Sequence, residues 1–308
     1  MPSTVARTFC CFSNRLFDVA ILLFISSIFV YLRRFSTPFE RGIFCTDVSI
    51  RYPYRENTVT ESMLIITTIG GPIIMIIVCE ILRAAAKRAK CLETAHYSEK
   101  YDLHCWRFPA AVAQSYKYIG FFGFGVAVNA ALTFIFKYKV GALRPYFLAV
   151  CKPNMTSLCS GSLVEYVDPV ICTGNPADVI EARQSFLSGH SSMAFYAAAF
   201  LVIYLQGRFK IDFLSRLLIY LQGRFKIDFL SRLLVPFMQL LLVIFALFTA
   251  LSRVSDYKHH SSDVIAGGLL GIVIAAAVLI PRADVFNAKS DEDDDDECAQ
   301  SIVYRRGI

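Results

Sequence analysis

The chain is 308 residues long, with 56% hydrophobic and 18% charged residues and a formal net charge of +6. Soluble domains carry about 25% charged residues, so this composition excludes an ordinary soluble protein, and no nucleic-acid partner is expected. The apolar residues are also clustered into runs of the length a bilayer demands of a helix, roughly 20 residues.

Six such runs are predicted, over residues 16–32, 60–82, 115–136, 190–206, 233–251 and 264–281. The first reaches Tyr31 and Leu32 without a small-residue cleavage site, and Arg33-Arg34 follows it. It therefore reads as a permanent span, not a removable leader. The expected fold is all-α, a six-transmembrane-helix bundle over residues 16–282. Residues 1–15 form a short tail before it, and residues 283–308 form a second tail whose unbroken acidic run Asp291–Glu297 repels itself.

Lys and Arg favour the two tails and the second and fourth loops, which places both termini in the cytosol. The first, third and fifth loops then face outward, at the plasma membrane or in the lumen of an internal one. Cys45, Cys151, Cys159 and Cys172 all fall on that oxidising side, and a disulfide within Cys151, Cys159 and Cys172 is expected, with its pairing open. The third loop also holds the glycosylation sequon Asn154-Met155-Thr156.

After the fourth run, the stretch Ile203–Leu218 recurs unchanged as Ile219–Leu234. Solenoid repeats diverge and need several copies to stack, so this reads as a recent tandem duplication. Its length is not a whole number of helical turns, and one continuous helix would rotate its apolar face between copies. An excursion at the cytosolic surface is expected instead, with Arg208, Lys210, Arg224 and Lys226 at lipid headgroups.

Three polar clusters sit at the ends of apolar runs, where polar side chains are costly unless they are used. In the first, Lys137 and Arg144-Pro145 follow the third run; seven residues is two turns, so a continuing helix would set both cations on one face. Snorkelling cations at a span boundary are the bland alternative. The second, Ser185-Phe-Leu-Ser188-Gly189-His190, opens the fourth run. Ser188 is a good N-cap, and the free N–H groups of Ser188 and Gly189 would make an anion site beside His190. The third, Ser252-Arg253 through His259-His260 to Asp263, bridges the fifth and sixth runs. On a helix, His259 and Asp263 would meet across one turn, the carboxylate orienting the ring as a nucleophile. His190, His259, His260 and Asp263 could instead hold a metal, but Lys137, Arg144 and Arg253 nearby favour an anion over a cation.

In the derived topology all three clusters emerge on one outer face. Three cations and a helix N-terminus around two histidines suit a tetrahedral dianion held for in-line displacement.

The patterns K-x6-R-P, S-G-H and S-R-x5-H-x3-D, in this order, resemble the three signature motifs of the type 2 phosphatidic acid phosphatase superfamily. The likeness is nearest to the animal lipid phosphate phosphatases, including the insect wunen-like members. It extends to Glu40–Asp47 and Tyr52–Thr58 in the first loop and to Tyr204-Leu-Gln, and it covers roughly residues 15–280. The resemblance implies a lipid phosphate substrate, His259 as nucleophile, Asp263 as its orienting group and His190 as acid. Phosphate would be bound by Lys137, Arg144, Ser188, Gly189 and Arg253, with no metal or other cofactor. The membrane and the substrate are then the expected partners, and self-association is compatible with the sequence. Leu187 and Ser262 depart from the wider pattern, where proline and tryptophan are common.

Overall fold

The computed structural model describes residues 19–28, 30–32, 34–94, 100–103, 106–159, 165–208 and 228–281. Both predicted tails, and Lys210, Arg224 and Lys226 of the duplicated stretch, lie outside these.

The described chain is mostly helical. An apolar helix α1 (Val19–Leu32) leads into a loop containing the short strand β1 (Ile43–Phe44). Helix α2 (Glu61–Ile65) continues through one π-helical stretch, Ile66–Gly70, into α3 (Gly71–Thr94). The hairpin β2 (Lys100–Leu103) and β3 (Trp106–Pro109) precedes the long α4 (Ala110–Val140). The third loop carries α5 (Phe147–Cys151), α6 (Met155–Leu158), β4 (Tyr166–Val167) and α7 (Pro176–Ala182). Then come α8 (Gly189–Arg208), α9 (Asp228–Ser255) and α10 (Ser261–Leu279).

Among the described residues, four helical stretches are long and apolar enough to cross a membrane: Glu61–Ala85, Ala111–Val140, Leu233–Ser255 and Ser261–Leu279. Helix α1 is shorter. Helix α8 opens on the polar run Gly189-His-Ser-Ser and forms the centre of the bundle, packed by α10, α9 and α4. Its buried Tyr196, Phe200 and Tyr204 interleave with Tyr118 and Phe122 of α4. Each tyrosine hydroxyl that enters this core needs a partner there, and Tyr196 donates to the Phe122 carbonyl at 2.8 Å. On α9, Leu240, Ile244, Leu247 and Leu251 are exposed while Ala246 and Ala250 are buried. That is a helical stripe of large apolar residues turned outward, as lipid contact requires.

The far end of α8 differs from expectation. Arg208 does not reach for headgroups; its guanidinium grips the buried Glu80 of α3 through Nε (2.9 Å) and Nη2 (2.8 Å), and Tyr204 donates to the same carboxylate at 2.8 Å. A buried carboxylate is far costlier than an exposed arginine, so Glu80 draws the cation inward.

At the opposite end the first and third loops build a cap. Strands β1 and β4 pair antiparallel, and two disulfides close, Cys151–Cys172 within the third loop and Cys45–Cys159 between the loops. The first lies within the trio for which the sequence predicts a disulfide, whereas Cys159 pairs outside that trio, with Cys45. Because the Cys45–Cys159 bridge joins residues 114 apart, its removal frees much denatured-chain entropy, about 2–5 kcal/mol for a native disulfide. The double variant Cys45→Ser with Cys159→Ser should therefore melt several degrees lower by thermal-shift assay in detergent, and an unchanged midpoint would deny the bridge a stabilising role.

Candidate active site

Helix α4 does not carry its periodicity to Arg144. It stops at Gly141, whose φ of +57° is left-handed and whose N–H closes on the Lys137 carbonyl. A side chain there would also strike the Phe39 carbonyl, so glycine is required twice over. The chain then folds back, pinned by Arg144 N–H to the Ala182 carbonyl (2.8 Å) and Ser185 N–H to the Ala142 carbonyl (2.9 Å). Lys137 and Arg144 thus meet through a turn, not through a shared helical face.

Ser188 caps α8, its Oγ accepting the Ser191 N–H at 3.4 Å. Its own N–H donates to the Asp263 carbonyl (3.1 Å), while Ser191 Oγ donates to the Val264 carbonyl (2.7 Å). The starts of α8 and α10 are therefore stitched together, and the Ser188 N–H expected to face an anion is spent on that stitch. The approach is close: a Cβ on Gly267 would lie 2.5 Å from the Ser188 carbonyl oxygen.

Between α9 and α10, Tyr257 takes a φ of +55°, and both Lys258 and His259 donate backbone N–H groups to the Arg253 carbonyl (3.0 and 3.2 Å). This tight reversal places His259 ahead of the helix, since His260 is the N-cap of α10 and Asp263 its third residue. His259 and Asp263 therefore do not share a helix, yet the turn still brings them near: His259 Nδ1 lies 3.8 Å from Asp263 Oδ2. That is beyond a hydrogen bond, and Nδ1 has no other partner among the described residues. The Asp263 carboxylate is meanwhile fixed by Ser185 Oγ (2.5 Å) and the His260 N–H (3.0 Å). His260 turns away to the Leu143 carbonyl.

A cavity of about 240 Å³ collects these groups. Lys137, Arg144, Gly189, His190, Arg253 and His259 line it; Ser188 and Asp263 sit buried behind. His190 Nε2 and Arg144 Nε are buried there without hydrogen-bond partners among the described residues. Such atoms are rare in folded proteins, and both suit an acceptor-rich ligand. Burial, above all, holds the His259 ring well below the ordinary histidine pKa; Asp263 opposes this, and the Arg144 and Lys137 cations reinforce it. The ring is neutral at neutral pH.

Several contributors carry no motif. Arg253 is 1% exposed and is held by Asn57 Oδ1 (3.0 Å), Asp256 Oδ2 (2.8 Å) and Ser252 Oγ (3.3 Å). Asp256 also accepts the Thr58 N–H (2.8 Å) and Oγ1–H (2.7 Å), so the first loop is built into the arginine's support. Glu181 and the Tyr146 hydroxyl orient Arg144 through Nη1 at 2.8 and 3.0 Å. Buried Lys258, another lining cation, rests between the Tyr54 and Tyr146 rings (3.7 and 4.8 Å). Burial lowers its pKa, with the Arg144 charge as the next cause. Asp256 and Lys258 stand inside the third motif, where an acid three residues after the arginine was a readable signal; Asn57 and Thr58 belong to the first-loop stretch that shares the family resemblance, but nothing in it ties them to Arg253 or Asp256.

Known proteins resemble this chain over most of its length. Residues 118–284 match the family model described as the PAP2 superfamily. The chain is 39% identical over 274 residues to phospholipid phosphatase 2 of Homo sapiens, covering 89% of this chain and 84% of that protein. To phospholipid phosphatase 1 of Rattus norvegicus it is 36% identical over 288 residues, covering 93% and 91%. The Mus musculus phospholipid phosphatase 1 is 38% identical over 270 residues, with 87% and 84% covered. No solved structure gives a significant match.

Proposed function

Since this chain belongs to the PAP2 superfamily, we propose that it is a membrane lipid phosphate phosphatase that hydrolyses phosphatidate, lysophosphatidate, sphingosine 1-phosphate or ceramide 1-phosphate through a phosphohistidine. The observation that carries the reading is the single cavity in which four cations (Lys137, Arg144, Arg253 and Lys258), two histidines and an apolar wall of Leu64, Ile65, Ala130 and Phe134 meet. Phosphate monoester dianions need the first, covalent displacement the second, and a lipid tail the third.

In the first step His259 Nε2 forms a bond to phosphorus while the ester P–O bond breaks. Its Nδ1–H is steadied by Asp263 after a shift of about 1 Å, enough to reach hydrogen-bond range. His190, which can hold a proton once the bound phosphate dianion offsets the surrounding cations, gives that proton to the leaving lipid oxygen. In the second step water attacks phosphorus, the N–P bond breaks, and His190 takes the water's proton. The net reaction is lipid phosphate plus water to lipid alcohol plus inorganic phosphate. Lys137, Arg144, Arg253 and the N–H end of α8 at Gly189 balance the charge on the phosphoryl oxygens throughout.

Purified protein in mixed micelles with phosphatidate and excess EDTA should release inorganic phosphate and diacylglycerol in equal amounts. Transfer of phosphate to another alcohol, or no release from any lipid phosphate offered, would overturn the reading.

The further arrangement proposed is six spans, adding α1 and α8 to the four long helices, with the cap and cavity outside the cytosol and both termini within it. The exposed Asn154 on the cap supports glycosylation there. Asn154→Gln should remove the glycosidase-sensitive mass shift of protein expressed in animal cells, and protease should cut the 145–185 loop only from the non-cytosolic side. Cleavage from the cytosolic side would reverse the topology.

A further inference from the structure

Asn129 lies deep in α4 and is 1% exposed, yet it lines the same cavity as the histidines. It stands eight residues before Lys137, about 12 Å further along the helix and away from the cap. Its Oδ1 accepts the Ser192 hydroxyl at 2.5 Å. The amide's two hydrogens remain, and among the described residues their partner is the Met193 thioether at 3.9 Å, a weak acceptor. Packing glue between α4 and α8 would need the Oδ1 contact alone. A buried carboxamide that keeps its donors toward a cavity instead offers them to something that occupies it.

The position of that something follows from the reaction order, and the inference rests on the function proposed above. His190 faces the leaving oxygen, so the alcohol portion of the substrate must extend past His190. Met193 is the next turn of α8, about 5 Å deeper, and Asn129 is beside it. That distance corresponds to a few bonds beyond the leaving oxygen, where glycerol-based lipids carry an ester carbonyl or a hydroxyl and sphingoid bases a hydroxyl. We propose that Asn129 is a specificity-determining residue whose amide donates a hydrogen bond to the first backbone oxygen of the lipid beyond the scissile phosphoester. The enzyme thereby prefers lipid phosphates oxygenated at that place over plain alkyl phosphates.

The test compares kcat/KM for lysophosphatidate with that for hexadecyl phosphate, which keeps the phosphate and chain but lacks the backbone oxygens. The ratio within one preparation does not depend on how much of it is folded. The unsubstituted protein should favour lysophosphatidate, and Asn129→Leu, nearly the same size, should shrink that ratio about fivefold to tenfold, the worth of one buried neutral hydrogen bond. Ser192→Ala removes the interhelical contact but leaves the amide, and should preserve the ratio. A ratio unchanged in Asn129→Leu, or one lost equally in Ser192→Ala, overturns the assignment and makes Asn129 a packing residue. If the unsubstituted protein hydrolyses neither lipid, the phosphatase reading itself fails and takes this inference with it.

Discussion

Replacing His259 with alanine should lower phosphate release from phosphatidate by at least about four orders of magnitude, the scale seen when a covalent nucleophile is lost. No neighbour can stand in for it. His260 is turned to the Leu143 carbonyl, and His190 lies on another helix, α8. The variant should still fold, since the His259 backbone N–H supplies its main described contact, to the Arg253 carbonyl. Orthovanadate should therefore still raise its melting temperature through Lys137, Arg144 and Arg253. With labelled lipid phosphate and acid-free quenching, the unsubstituted protein should carry an acid-labile phosphoryl group that the variant lacks. Labelling of the variant at full stoichiometry would place the nucleophile elsewhere. Because burial keeps the ring neutral, the acid limb of its kcat/KM profile should fall below the ordinary histidine value of about 6.5. The sign follows from linkage: a histidine depressed in the fold takes its proton first in the unfolded chain, so acid also costs stability as pH drops through that value.

The His190→Ala variant should lose about 10²–10⁴-fold on lipid phosphates, the range for a missing general acid, but with a different signature. An alkoxide leaving group depends on the proton that His190 supplies; nitrophenolate scarcely does. Phosphorylation by p-nitrophenyl phosphate should thus be nearly retained, giving a burst of nitrophenol, while the water step stalls for want of a base. The phosphoenzyme should accumulate where the unsubstituted protein turns it over. Equal loss on both substrates and no burst would assign His190 to phosphate binding alone.

The proposed catalytic constellation was legible as three motifs, but the geometry that unites them was not. Helical spacing predicted shared faces for Lys137 with Arg144 and for His259 with Asp263. In neither pair does one helix hold both residues: α4 ends before Gly141, and α10 begins only after His259. Periodicity describes one element, whereas these contacts are made by turns whose direction depends on tertiary partners such as Phe39 and Ala182. Ser188 was recognisable as a cap, but nothing local reveals that its N–H is consumed by Asp263. The first-loop partners of Arg253 and Asp256 are nearly two hundred residues distant, a separation at which no spacing rule operates. Charge alone misread Arg208, because the pull of one buried glutamate on another helix outweighs the tendency of cations to seek headgroups.

The support of Arg253 by Asn57, and of Asp256 by Thr58, also sets a limit on how far this enzyme can be shortened. A fragment trimmed to the segment recognised by the family model, residues 118–284, would contain every motif residue yet leave that guanidinium and its acid short of the ligands that orient them. Split-protein or truncation designs should therefore count the first extramembrane loop as part of the catalytic unit, and complementation by a separately expressed N-terminal piece is the way to recover a shortened chain.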